Sequence, residues 1–147
     1  MQRELSDRIE IADLLNRYNI LGDRGRVAEM VDVFAPDAHF RAVGKSAIGH
    51  TEIAAVLNAN PTSPRHTVTR HHLGTQIIDV EGDKASARTY FVVHTNIGAD
   101  HHGVYIDLLE RRDGRWKITD RDVRLDWQSP DSVYEPLPLP ANRRSSS

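Results

Sequence analysis

From residue 66 to residue 127 the chain reads as four long strands joined by very short links. The strand candidates are 66–80, 84–97, 103–111 and 115–127, and the links are Glu81-Gly82-Asp83, Gly98-Ala99-Asp100 and Arg112-Asp113-Gly114. Glycine-containing links this short are hairpin signals, because glycine tolerates the positive φ that a tight reversal needs. Strands connected in this way pair as antiparallel neighbours, so this part of the chain is committed to a meander with one face to bury.

The residues before it supply helices. Ile11, Leu15 and Tyr18 follow i, i+4, i+7, and Leu14 and Leu21 widen that stripe, which predicts a helix over 3–21. Gly22-Asp23-Arg24-Gly25 is expected to break it. Val27, Met30, Val31 and Phe34 predict a short helix over 26–34, Ala35-Pro36-Asp37 a turn, and His39 to Val43 a short strand. Thr51 is placed to cap a third helix over 52–58, with Pro61 and Pro64 in the loop that ends it. Three helices followed by a meander make an α+β layout, and a long sheet curling around helices encloses a pocket. Residues 129–147 carry four prolines and end in Arg-Arg-Ser-Ser-Ser, which suggests a tail, one that could lie on a neighbouring subunit, after a single domain over 1–128.

Composition narrows the chemistry. With 147 residues, 39% hydrophobic, 27% charged and a net charge of -2, the chain suits one ordinary globular domain and not a dedicated nucleic-acid binder. It has no cysteine, which excludes disulfides, thiolate metal sites and a cysteine nucleophile. No apolar run approaches the roughly 20 residues of a membrane span, and the charged N-terminus lacks an apolar signal core, so a cytoplasmic protein is the expectation. Gly44-Lys45-Ser46 resembles the end of a phosphate loop, but His39 stands where its first glycine is required. The pairs His71-His72 and His101-His102 lack chelating spacing, because adjacent strand residues face opposite ways, and no metal is expected.

Strand parity selects candidate site residues. The even positions of 66–80, including Val68, His72, Gln76, Ile78 and Val80, look more buried than the odd ones, which points His72 inward and His71 outward if no bulge intervenes. Arg121 shares parity with Val123, Leu125 and Trp127. A buried arginine needs an anion, either a protein carboxylate or a ligand, unless a bulge beyond Trp116 and Ile118 turns it to solvent. Tyr18 lies on the buried stripe of the first helix, and Asp23 follows that helix in a position that a simple turn or cap would also explain.

Taken in order, RYNILGDRG, VDVFAPDAHF, HHLGTQIIDVEGDKASARTYF and RRDGRWKITDRDVRLDW resemble the SnoaL-like branch of the nuclear-transport-factor-2-like superfamily over about residues 5–127. The resemblance implies a cone-shaped, curved antiparallel sheet wrapped on three N-terminal helices. Within that branch the pattern is most similar to scytalone dehydratase, hexachlorocyclohexane dehydrochlorinase and bile-acid dehydratase, which are lyases using an aspartate–histidine pair. The matching positions are Asp23 and His72, with Tyr18 as the pocket tyrosine and Arg121 as the arginine that follows the tryptophan. His94, on the second long strand, is a further candidate for substrate binding. The resemblance implies a lyase without cofactor or metal, acting on a small hydrophobic or cyclic, polyketide-like molecule. It also implies a homo-oligomer, a trimer ahead of a dimer. An isomerase or cyclase using the same dyad, or a non-catalytic binding or assembly subunit of the same fold, are the alternatives.

Overall fold

The computed structural model describes residues 1–59 and 64–139; Pro61 and the terminal Arg-Arg-Ser-Ser-Ser lie outside the described residues. Helix α1 spans Gln2–Asp23, α2 Val27–Met30 and α3 Gly49–Asn58, and a single 3-10 turn, Val31–Val33, follows α2. The strands are β1 Phe34–Ala42, β2 Lys45–Ile48, β3 Thr69–Glu81, β4 Lys84–Thr95, β5 Gly98–Arg112 and β6 Arg115–Gln128. They form one curved, unclosed sheet in the order β2-β1-β6-β5-β4-β3. The meander β3–β6 is antiparallel as expected, while β1 lies parallel to β6 and antiparallel to β2. None of the described helices is long and apolar enough to cross a membrane.

Several boundaries differ from the sequence expectations for local physical reasons. Gly22 does not break α1, which runs on through Asp23. A side chain at Gly22 would meet Met30 at 2.9 Å, so the glycine there lets α2 approach. Gly25, at φ +71°, ends the helix: its N–H bonds to the Gly22 carbonyl and the Arg26 N–H to the Leu21 carbonyl, the two bonds of a Schellman cap. The expected turn at Ala35-Pro36-Asp37 is instead an irregular stretch within β1, where pairing to β6 lapses between Phe34 and His39. Strand β2 was not expected at all. It follows a two-residue turn in which Val43 and Gly44 both have positive φ, the geometry of a type I′ hairpin. Helix α3 begins at Gly49, so Thr51 is inside it, and the Glu52 carboxylate accepts the Ile48 N–H instead.

Four one-residue bulges curve the meander. The extra residue lies at Gly74-Thr75 on β3, at Asp100 on β5, and at Thr119 and Asp126 on β6. Each reverses which parity faces the helices. The concave face meets α1 and α3 through Ile11, Leu15, Phe34, Phe40, Ile53, Trp116 and Ile118, all fully or almost fully buried. Trp116 also donates its indole N–H to the buried Asp7 carboxylate, which fixes the start of α1 on β6. Residues 129–139 pack back on this same domain, with Val133 fully buried.

Candidate active site

Strand β3 is the last strand of the sheet, so alternate backbone N–H groups point away from β4 and need other partners. Asp23, at the end of α1, captures one of them. Its Oδ2 accepts the His71 backbone N–H at 2.8 Å, and its Oδ1 lies 2.5 Å from His71 Nδ1. The carboxylate is almost fully buried, whereas the imidazole keeps about a quarter of its side-chain surface. The Nδ1 contact commits that nitrogen to the aspartate and leaves Nε2 as the acid–base end of the ring.

The partner of Asp23 is therefore His71 and not His72. The bulge at Gly74-Thr75 is the cause. Below it Thr69, His71 and Leu73 face inward, and above it Gln76, Ile78 and Val80 do so. His72 stands on the convex face, exposed, with its ring centroid 5.0 Å from that of His94. His94 is exposed there too, so neither reaches the interior.

Two connected cavities lie on the concave side. An inner chamber of about 100 Å³ is walled by Tyr18, Phe91, Tyr105, Val123, Leu125 and His71, with Val43, Leu57 and Tyr134 at its edge. A wider vestibule of about 550 Å³ shares Tyr18, Leu57, His71 and Tyr134 with it and takes in Asp23 and His66. The Asp23–His71 pair thus sits at the junction of the two. Aromatic packing holds the wall: Tyr105 stacks on Phe91 at 4.3 Å, and Tyr18 meets Tyr105 edge-on at 5.8 Å. Burial raises the pKa of both tyrosines, more for Tyr105 than for Tyr18, so each stays a neutral hydroxyl at neutral pH.

Arg121 is fully buried, and its anion is a protein carboxylate. Nε and Nη2 bind the two oxygens of Asp107 at 2.7 and 2.8 Å. The bulge at Thr119 exists, but it separates the inward Trp116 and Ile118 from the inward Arg121 rather than expelling the arginine. The guanidinium lies 4.2 Å from the Tyr18 ring centroid and 4.1 Å from that of Tyr105. Burial opposes its charge, but Asp107 outweighs burial and the pKa rises. Arg121 therefore braces the two tyrosines from behind and does not line the chamber. Trp127, of the same parity, is carried outward by the Asp126 bulge and stacks on His102.

A further pair on β5 was missed in the sequence. Asp100 is fully buried and its Oδ1 lies 2.8 Å from His101 Nδ1. Both residues face inward because Asp100 is itself the bulge residue. Its other bonds hold the C-terminal segment and the end of β4: it accepts from Ser132 Oγ at 2.6 Å and Val133 N–H at 3.0 Å, and from Thr95 Oγ1 at 3.2 Å. Burial lowers the pKa of His101 despite the carboxylate beside it. Only an inward reading of a strand beginning at Gly98 would have found this pair, and the sequence suggested a turn there. Among the described residues no cluster of three or more His, Cys, Asp or Glu is arranged to hold a metal ion.

A curved sheet wrapped on three helices around an interior chamber is the α+β architecture of the nuclear-transport-factor-2-like superfamily. Within it the chain belongs to the SnoaL-like family, whose domain model matches residues 3–122. It is 31% identical over 126 residues to the uncharacterized protein Rv2910c of Mycobacterium tuberculosis, a match covering 80% of this chain and 84% of that one. Among solved structures, an NTF2-like protein with a cystatin-like fold from Novosphingobium aromaticivorans superposes with TM-score 0.74 at 27% identity, over 89% of each chain. The "Putative Scytalone Dehydratase" of the same organism superposes with TM-score 0.79 over 97% of this chain and 99% of that one, at 21% identity.

Proposed function

We propose that this protein is a lyase of the dehydratase type, in which His71, oriented by Asp23, removes a proton from a carbon next to a carbonyl. The observation that carries the reading is the 2.5 Å contact between His71 Nδ1 and Asp23 Oδ1 at the junction of chamber and vestibule. A neutral imidazole accepts a proton near neutral pH, and a carboxylate on its other nitrogen fixes the tautomer and stabilises the imidazolium that forms. The Tyr18 hydroxyl, kept neutral by burial, is the donor for a substrate carbonyl oxygen. The flat walls formed by Phe91 and Tyr105 suit a small cyclic molecule, and elimination of water from it requires no cofactor. A purely binding or assembly subunit has no need of a carboxylate-oriented histidine at the chamber mouth, and the dyad speaks against that alternative.

Exchange of the α-hydrogens of cyclohexanone for deuterium in D₂O, followed by proton NMR, tests the base alone, since this ketone has no leaving group. The wild-type protein is expected to accelerate exchange. His71→Gln should lower the rate by a factor on the order of 10²–10⁴, the usual contribution of a positioned base, and Asp23→Asn should lose much of it. His72→Ala should exchange like the wild type. Full exchange in a folded His71→Gln protein would sink the assignment.

A further inference from the structure

Three cross-strand neighbours lie in one row on the concave face: His71 on β3 pairs with Val93 on β4, and Val93 pairs with His101 on β5. Strands lie about 4.8 Å apart, so the two histidine Cα atoms stand roughly 10 Å from one another. Val93 between them is fully buried, and both imidazoles line the inner chamber. Each has Nδ1 committed to its own aspartate, His71 to Asp23 and His101 to Asp100, which leaves each Nε2 for chemistry. A β-hydroxy ketone places its α-carbon and its hydroxyl oxygen about 2.5 Å apart, and a hydrogen bond adds about 3 Å at each end, so it calls for the two Nε2 atoms to stand about 8–9 Å apart, a separation within reach of side chains whose Cα atoms are roughly 10 Å apart.

We infer that Asp100–His101 is a second acid–base pair of the same site, which protonates the leaving oxygen while His71 takes the carbon proton. This rests on the reading of His71 as a base. The step balances: the C–H electron pair becomes the new C=C bond as the proton moves to His71 Nε2, the C–O bond breaks, and hydroxide leaves as water with the proton of the His101 imidazolium. His71 ends protonated and His101 neutral, and exchange with solvent resets both, recharging His101 more readily as pH falls because burial lowers its pKa. Tyr134 makes an edge-on contact with His101 at 5.1 Å and closes the chamber over it. Asp100 is the positioning residue, and because it also binds Ser132 and Val133, the C-terminal segment must be seated for His101 to be aimed.

The test compares three reactions. Cyclohexanone exchange needs the base alone. Loss of water from 3-hydroxycyclohexanone needs base and acid, and loss of acetate from 3-acetoxycyclohexanone needs no acid, because acetate leaves unprotonated. His101→Gln, which leaves the other bonds of Asp100 in place, should keep exchange and acetate loss near wild type. It should lower dehydration by a factor on the order of 10²–10⁴. His101→Phe, which keeps the packing on Tyr134, should do the same and guards against a variant that misfolds. Dehydration retained in either variant, or all three reactions lowered together in folded protein, overturns the second pair and leaves the base standing. Absence of exchange in the wild type overturns the base reading and the second pair with it.

Discussion

Replacing Asp107 with leucine should be among the most destabilising single changes in the protein, although Asp107 touches no part of the chamber. Asp107 and Arg121 have no exposed side-chain surface, and the carboxylate meets the guanidinium through two bonds of 2.7 and 2.8 Å. Removing the carboxylate leaves a charged guanidinium in the core beside the neutral side chains of Tyr18 and Tyr105. Breaking such a pair from one side costs about 3–5 kcal/mol. For a chain near this length each kcal/mol moves Tm by about 2–4 °C, so Asp107→Leu should melt roughly 6–20 °C below wild type. The double variant Asp107→Leu/Arg121→Met removes both charges and should recover most of that loss, because well-packed apolar residues commonly replace a buried pair at little net cost. Urea titration followed by circular dichroism gives the free energies of all four proteins in this cycle. A loss below about 1 kcal/mol for Asp107→Leu at unchanged m, or a double variant no better than the single, would refute the picture of a mutually neutralised pair.

Gly103→Ala should be strongly destabilising, by more than about 2 kcal/mol in urea titration, because a Cβ there would lie 2.0 Å from the Arg124 carbonyl oxygen on the neighbouring strand. Acid should loosen the start of α1. Burial opposes the charge of Asp7, but the Trp116 indole and the Arg111 guanidinium outweigh it and lower its pKa, so its contribution is present above about pH 4 and is lost as pH falls through the folded value. The Tm difference between wild type and Asp7→Asn should accordingly narrow on acidification. The convex face exposes Ile77, Tyr90, Leu108 and Trp127, which favours self-association. Light scattering at micromolar concentration should show a homo-oligomer, with a trimer expected ahead of a dimer, and Leu108→Asp should shift it toward monomer.

The hairpins were legible because their turns are local: Gly82 and Gly114 take up the positive φ their positions demand, and the strands on either side of them end within a residue or so of the expected limits. The meander and its antiparallel pairing followed. The pair is legible as an aspartate and a histidine, but simple alternation picks His72 where the structure has His71. The even-position signal in 66–80 rests chiefly on Ile78 and Val80, which lie beyond the bulge and so report the orientation of the far half and not that of the histidines. Gly74 was the available signal, since glycine inside a strand often marks a bulge. The Asp100–His101 pair was hidden for the related reason that a bulge turns two consecutive residues inward, which no alternation rule anticipates. Strand β2 was hidden because Val43 adopts φ +48°, a conformation a β-branched residue seldom takes, so its turn carried no recognisable composition.

The bulge at Gly74-Thr75 also changes what a small insertion or deletion would do to this strand. Deleting Thr75 would remove the extra residue and leave His71 inward, whereas straightening β3 at its present length would slip its first half by one residue against β4, sending His71 to the convex side and His72 to the concave one. Because the two stand in tandem, an imidazole would face the chamber in either register. The sequence therefore holds a spare: the same nitrogen heterocycle is presented to the interior before and after a one-residue slip, and only the reach to Asp23 has to be re-established. A strand of this kind can gain or lose curvature over evolutionary time while the chemistry at the chamber mouth persists.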